Sequence, residues 1–344
     1  MFTPNYTITD KLLINIKRIN TLVSELNNRR FPHVILFEFE RAARAVSAHA
    51  STSIEGNPLP LTEVKKILKS TPAHIRDSER EVLNYNKALL HLNKKLTVKK
   101  PVVSPNLILN IHKLVMEGLL PAYDVGAWRR RPVIVNDPRT GQAVYLAPNA
   151  ADVPSLMTDL IHFAHENRNT VDSLILAGIF HKQMVVIHPF MDGNGRTTRL
   201  VTKVLLAEMG LDTFNLFSFE QYYNSNVTRY FQHVGERGDY YERKGQFDFT
   251  AWLEYFSEGI IDELLRVQDI LPRMSVSPDT QLHEYHHKII NSIREKGFIK
   301  DSGYAKLVDR AKATRTLDFQ KLIKLQLIER KGKGKATYYV LRET

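Results

Sequence analysis

His188-Pro189-Phe190-Met191-Asp192-Gly193-Asn194-Gly195-Arg196 puts an imidazole, a carboxylate, a glycine turn and a guanidinium within nine consecutive positions. Upstream, Leu174 to Ile187 is mostly apolar and of buried-helix character. Downstream, Leu200, Val201, Val204, Leu205 and Met209 recur at helical spacing before Gly210 closes that helix. The stretch therefore belongs on a turn between two core helices. Glycines adopt φ > 0 at little cost, so the N–H groups of Gly193, Asn194 and Gly195 can converge on one anion where the next helix presents its positive dipole end. Arg196 and Arg199 lie three residues apart, on one helix face, and a guanidinium fork matches phosphate oxygens. Asp192 is a hard oxygen donor suited to a Mg²⁺ that bridges phosphates, and His188 titrates near neutrality and can take a proton from a hydroxyl.

Two simpler readings compete. A structural turn with a helix start requires only one or two of these residue types. A metal site built from His162, His165, His181 and His188 lacks the i, i+4 histidine pair with a carboxylate between, and leaves the glycines unexplained. Completed by Thr197, Thr198 and Arg199, the string resembles the HPFx(D/E)GNGRxxR signature of the Fic family, with no departure at the defining positions. The resemblance implies a mainly α fold, a Fic-type helical core with a β-hairpin flap, and transfer of AMP from ATP to a Ser, Thr or Tyr hydroxyl of a protein. It also implies roles: His188 as general base, Asp192 as Mg²⁺ ligand, Gly193, Asn194 and Gly195 as anion hole, and Arg196 and Arg199 as partners of the β- and γ-phosphates. Thr197 and Thr198 join the ATP-binding set, and Phe190 anchors the loop in the core. Nucleotidyl transfer needs an in-line hydroxyl, charge neutralisation and removal of one proton, and each task has a residue here.

Ser51-Thr52-Ser53-Ile54-Glu55-Gly56-Asn57 matches the family's inhibitory (S/T)xxxE(G/N) motif. Phe39 to Ala50 before it is rich in helix formers, and Gly56 with Pro58 reads as the stop. The implied mechanism pairs Glu55 with Arg199 and so withdraws that guanidinium from ATP; in some relatives the same glutamate supports AMP removal. Pro132 to Val135 and Ala143 to Leu146 flank Asn136-Asp137-Pro138-Arg139-Thr140-Gly141 and read as a β-hairpin. By resemblance this is the flap, with Val133, Ile134, Val135 and Asn136 offering an edge to a target peptide. Tyr222, Tyr223 and Tyr230 are candidates for a nucleobase wall, and Tyr230-Phe231 resembles the aromatic pair found there in the family.

The chain has 344 residues, 43% of them hydrophobic, and no cysteine, which excludes disulfides, thiolate metal sites and cysteine nucleophiles. No run approaches the apolar length of a membrane span, and Met1-Phe2-Thr3-Pro4 lacks a signal-peptide layout, so the expectation is a cytoplasmic protein without a membrane partner. Punctuation divides the chain into a helical region over 1–100, with breaks at Asn57-Pro58 and at Lys94 to Lys100. A catalytic core over 101–271, a linker over 272–280 and a small domain over 281–344 follow. In that last part Glu284 to Lys296, Ser302 to Val308 and Thr314 to Leu325 read as helices, followed by a Gly/Lys hairpin, which is the pattern of a winged helix. It holds 15 Lys and Arg against 7 Asp and Glu, or +8 of the chain's +11. Lys312, Arg315, Lys321 and Lys324 lie on or beside its third helix and Lys331, Lys333 and Lys335 on the hairpin, a footprint that fits DNA or a docking and dimerisation role. Two functions follow: an ATP- and Mg²⁺-dependent protein adenylyltransferase restrained by Glu55, or a nucleotide-sensing DNA-binding regulator.

Overall fold

Long runs of helix formers with polar residues at their starts make the chain mainly α. A computed structural model describes residues 2–29, 33–98, 101–136, 141–211, 213–273, 282–325 and 327–342. One compact unit gathers Met1–Arg29 with Ala42–Ile270, and another gathers Arg30–Arg41 with Leu271–Thr344. The first carries α1 (Asp10–Asn27), the end of α2 (His33–Ile54), α3 (Leu61–Lys69), α4 (Asp77–Val98) and α5 (Pro105–Met116). Strands β1 (Ile134–Asn136) and β2 (Ala143–Leu146) follow, then α6 (Val153–Glu166), α7 (Ser173–Ile187) and α8 (Asn194–Leu206). Helices α9 (Glu220–Ser225) and α10 (Val227–Val234), strand β3 (Gly238–Asp239), α11 (Tyr240–Arg243) and α12 (Thr250–Arg273) complete it.

A helix without a polar stripe is stable only when surrounded. α7 is such a helix, buried along nearly its whole length and packed on α6 and α8. Asp172 caps its start by accepting from the Leu174 N–H at 2.8 Å. Gly178 lets α12 approach closely: a β-carbon there would lie 2.6 Å from Leu253, and the Trp252 indole donates to the Gly178 carbonyl at 2.8 Å. These contacts fix the helix whose last turn delivers the histidine loop. β1 and β2 pair antiparallel with Val135 opposite Tyr145, and β2 pairs in parallel with β3, so β1 is an edge strand.

Four local expectations need correction. Val133 precedes β1 rather than lying in it, because β1 begins at Ile134; the turn residues 137–140 lie outside the described residues. The hairpin gains a two-residue third strand, too short to leave a sequence pattern. α4 continues through Lys94 and Lys95 to Val98, since lysine is a good helix former and an exposed lysine run need not break a helix. α8 tightens after Leu206 into a 3-10 turn over Ala207–Met209 before Gly210 turns left-handed.

In the second unit, α13 (Glu284–Lys296), α14 (Asp301–Tyr304) and α15 (Lys312–Lys324) precede an antiparallel pair, β4 (Ile328–Lys331) and β5 (Tyr338–Leu341). Their core holds Ile289, Ile293, Tyr304, Phe319, Leu322 and Ile328. Buried Asp318 accepts from the Tyr304 hydroxyl at 2.8 Å and from Arg310 Nε at 2.9 Å, which compensates its desolvation. α12 reaches Arg273, two residues into the stretch read as linker; residues 274–280 lie outside the described residues. Among the described residues no helix is long and apolar enough to cross a membrane.

Candidate active site

The loop between α7 and α8 is held by its own side chains. Asn194 Nδ2 donates to the Phe190 carbonyl and the Phe190 N–H donates to Asn194 Oδ1, both at 2.9 Å, so the asparagine of the glycine turn closes the loop on itself. Gly193, at φ 77°, precedes α8, whose first N–H groups have no intrahelical acceptor. Phe190 is fully buried and stacks on His112 of α5 with ring centroids 3.7 Å apart. The Gly126 N–H donates to His112 Nδ1 at 2.9 Å, so Nε2 carries the proton and donates to the Asp192 carbonyl at 3.0 Å. Burial lowers the His112 pKa to about 4, keeping the ring neutral and this tautomer in place.

His188 ends α7 in a left-handed conformation, φ 52° and ψ 61°, and is the only non-glycine residue with positive φ among the described residues. Three interactions hold that strained turn: its N–H donates to the Met184 carbonyl at 3.0 Å, and Arg129 Nε and backbone N–H donate to the carbonyls of His188 and Pro189 at 2.8 and 2.9 Å. The same guanidinium donates to the Pro148 and Arg131 carbonyls. His188 Nδ1 lies 3.3 Å from the Val185 carbonyl, which can only accept, so Nδ1 carries the proton and Nε2 is left as acceptor. Burial, with Arg129 nearby, lowers the pKa of this half-buried imidazole below its ordinary 6.5. The ring is neutral at physiological pH and fit to accept a proton.

Beside it lies a cationic cradle. Arg196 is 2% exposed; Nη2 meets Asp192 Oδ1 at 2.9 Å, Nη1 lies 3.4 Å from Glu81 Oε1, and Nε is buried with no hydrogen-bond partner among the described residues. The buried hydroxyls of Thr197 and Thr198 likewise lack one. Arg199 is fully buried, and its guanidinium is shared among several acceptors. Nε donates to Ser51 Oγ, and Nη2 to both the Ser51 carbonyl and Glu55 Oε1, each at 2.7 Å, while Nη1 lies 3.5 Å from the Tyr230 hydroxyl. Burial opposes the charge on Arg199, but Glu55, Tyr230 and Tyr85 outweigh it and raise its pKa. A β-carbon on Gly195 would sit 2.1 Å from Glu55 Oε1 and 2.9 Å from Arg199 Nη1. The Glu55 carboxylate thus rests in the space that the glycine leaves open.

Ser51 and Glu55 owe their position to a buried anchor one turn earlier on α2. Ser47 Oγ donates to Glu220 Oε2 at 2.8 Å, and Glu220, fully buried, also accepts from the Tyr85 hydroxyl at 2.8 Å and faces Lys203 at 3.4 Å. Above the histidine loop, the Tyr145 hydroxyl of β2 donates to the Val186 carbonyl at 3.1 Å, tying the hairpin to the end of α7. Ile134 on the edge strand is 55% exposed, Asn136 is exposed and Val135 half-buried.

The structure therefore brings His188, Asp192 through Arg199 and Glu55 together. Tyr230 is placed otherwise than a nucleobase wall requires. It is 1% exposed, its ring stacks on Tyr223 at 4.9 Å, and it offers its hydroxyl to His181 and Arg199 rather than a ring face to a ligand. Phe231, half-buried beside it, is the more open ring of that pair. The histidines of the competing metal reading part company: His162 pairs with Glu166, His165 meets the Val103 carbonyl, and His181 meets Tyr230 and Thr202. Sequence reasoning missed His112, Arg129 and Glu220, and considered His181 only as a metal ligand; an arginine run at Arg129-Arg130-Arg131 next to a tryptophan was the one visible signal.

As for a divalent cation, Asp192 is a single, 57% exposed carboxylate already engaged by Arg196, and among the described residues no cluster of three metal-binding side chains exists. The described residues alone do not build a metal cage. Its donor set suits a cation that arrives with phosphate ligands of its own.

Residues 102–206 match the family model described as Fic/DOC family. The chain is 29% identical over 199 residues to the protein adenylyltransferase Fic of Drosophila mojavensis, covering 55% of this chain and 38% of that protein. The protein of the same name from Drosophila virilis is 30% identical over 164 residues, covering 46% and 32%. The chain thus spans well under half the length of these curated relatives. Among solved structures, a Fic family protein from Desulfovibrio desulfuricans G20 superposes over 99% of this chain and 98% of its own, with a TM-score of 0.64 and 22% identity, a likeness of fold. The signature loop, the helical fold and these matches together make residues 102–206 similar to the Fic/DOC family.

Proposed function

We propose that the protein is an adenylyltransferase that moves AMP from ATP to a Ser, Thr or Tyr hydroxyl of a protein and is restrained by its own Glu55. The observation that carries this reading is a neutral imidazole with Nε2 open, beside a glycine cradle flanked by two buried guanidiniums. In the reaction the acceptor oxygen attacks the α-phosphorus, the bond to the β-phosphate's bridging oxygen breaks, and pyrophosphate leaves. His188 Nε2 takes the hydroxyl proton. The N-terminus of α8, Gly193, Asn194 and Gly195 hold phosphate oxygens, Arg196 and Arg199 neutralise the β- and γ-phosphates, and Thr197 and Thr198 line the same helix turn. Asp192 would hold the Mg²⁺ that accompanies ATP, which supplies charge neutralisation on the leaving phosphates. The exposed edge of β1, from Ile134 to Asn136, suits strand addition by a target peptide. The curated relatives' name, adenylyltransferase, supports the same activity. Incubation with α-³²P-ATP tests it: a Glu55→Gly variant should label itself or a lysate protein by +329 Da of AMP in intact-mass spectra (about one nucleotide per site), and Glu55→Gly/His188→Ala should not. Absence of label in the first variant refutes the reading.

The C-terminal unit supports a second role, read as a winged helix over 281–344. Two of its acidic groups, Asp318 and Asp301, are taken up by Arg310 and Arg315, while Lys312, Thr316, Gln320 and Lys324 lie exposed on α15. Such a face fits contact with a duplex phosphate backbone. In the regulator reading the nucleotide pocket only senses ATP, and a retained His188 base argues against that. Anisotropy of a labelled mixed-sequence duplex should fall steeply with salt; salt-insensitive binding or none would favour protein docking.

A further inference from the structure

A one-way hydrogen-bond chain runs behind Arg199, and its direction is fixed by its ends. The Thr202 hydroxyl lies 2.8 Å from the Thr198 carbonyl, which can only accept, so the hydroxyl proton goes there. Thr202 Oγ1 is then the acceptor for His181 Nδ1–H at 3.0 Å. His181 is fully buried, and that burial, with Arg199 close by, keeps its pKa well below the ordinary value, so Nε2 is bare. Nε2 accepts a hydrogen bond from the Tyr230 hydroxyl at 3.1 Å. The phenol oxygen is thereby committed as an acceptor, and the group it faces is Arg199 Nη1.

That nitrogen matters. Ser51 holds Nε and Nη2 on the far edge of the guanidinium, Glu55 also uses Nη2, and Nη1 is the nitrogen 2.9 Å from where a β-carbon of Gly195 would stand. Departure of Glu55 removes one acceptor and leaves the others. We infer that Tyr230, oriented by His181 and Thr202, is a positioning residue that keeps Arg199 Nη1 aimed into the cradle once Glu55 has left, so that the outer phosphates meet a guanidinium already in place. The inference rests on the proposed role of Arg199 as a phosphate ligand. Tyr230 thus serves the site from within the core, through its hydroxyl, and His181 acts as a neutral hydrogen-bond bridge fixed in one tautomer.

The test uses the full chain with Glu55→Gly, with and without Tyr230→Phe, and measures affinities for ATP and for AMP in Mg²⁺ by calorimetry. Loss of the hydroxyl should weaken ATP by about five- to tenfold, within the range for one hydrogen bond of ordinary net strength, and leave AMP within about twofold, because AMP lacks the phosphates that reach Arg199. A fold merely loosened by the substitution would weaken both ligands together, and that outcome, or no change in either, overturns the inference alone. If Glu55→Gly itself binds ATP no better than AMP, the phosphate role of Arg199 falls and this inference with it. Long-range ¹H–¹⁵N spectra of the unsubstituted protein give an independent reading. His181 should remain the neutral Nδ1–H tautomer from pH 5.5 to 8 (about the range in which free imidazole titrates), and an Nε2–H tautomer or a titrating ring overturns the chain's direction.

Discussion

On the proposed function, replacing Glu55 by glycine removes the carboxylate that would compete with ATP for Arg199. The contact is a charge-assisted hydrogen bond of 2.7 Å between a guanidinium with no exposure and a carboxylate whose side chain is 27% exposed. Such bonds contribute about 1.5–3 kcal/mol, and partial solvent access places this one toward the lower end. Competition is steric as well as electrostatic, because Oε1 lies 2.1 Å from the ideal β-carbon position of Gly195, inside the volume a phosphate oxygen would need. Freeing both should raise the population of the productive ATP pose by about ten- to thirtyfold. The cost to the fold is small, since Glu55 lies beyond the last residue of α2. Initial rates of label transfer from α-³²P-ATP, with ATP and Mg²⁺ saturating, measure the gain. Arg199→Ala in the same background should cancel it. A Glu55→Gly protein no faster than the unsubstituted one would refute the reasoning and leave Glu55 as a helix-end residue or a participant in hydrolysis.

In the Glu55→Gly background, His188→Ala should abolish transfer while ATP affinity stays within about twofold, and a parallel loss of binding would count against the base assignment. The transfer rate should level off above pH 6.5 and decline as acid protonates His188, whose pKa burial lowers from 6.5; a midpoint above that value would contradict the depressed pKa. Asp192→Ala should make ATP binding insensitive to Mg²⁺, and unchanged Mg²⁺ dependence in titration would place the cation elsewhere. Gly195→Ala should lower ATP affinity and also break the Glu55–Arg199 contact, which a structure of the variant would reveal. His112, at a pKa of about 4 when folded and 6.5 when free, takes up a proton on unfolding between those values, so its contribution is complete above pH 6.5 and disappears toward pH 4. Urea unfolding should register a loss of about 3 kcal/mol over that window, and equal stability at its two ends would disprove the burial argument.

What the sequence disclosed was what is written locally. The glycine turn, the capping of α8 and the apolar α7 depend on neighbours within a few positions, and so does the Ser51 to Glu55 spacing. The supports of the site are different in kind. Arg129 reaches the loop across 59 positions by donating to carbonyl oxygens, a recognition that leaves no complementary charge to look for. His112 and His181 earn their neutral state from tertiary burial, and no pattern of spacing reports that. Tyr230 sits on an aromatic stripe whose members point either to a ligand or to the core, and only packing distinguished the two. β3 spans two residues, below any periodicity.

The empty place at Gly195 has an evolutionary consequence. One missing methyl group admits the chain's own carboxylate and, on the proposed function, a visiting phosphate in its stead, so a side chain added there would evict both guests at once. At Gly195, then, no added side chain would discard the proposed restraint and keep the proposed phosphate seat. Within the proposed reading, the restraint can be lost with the seat intact at Glu55, whose removal leaves the Ser51 and Tyr230 contacts of Arg199 in place. The brake is thus free to vary on its own helix while the engine it acts on is held constant.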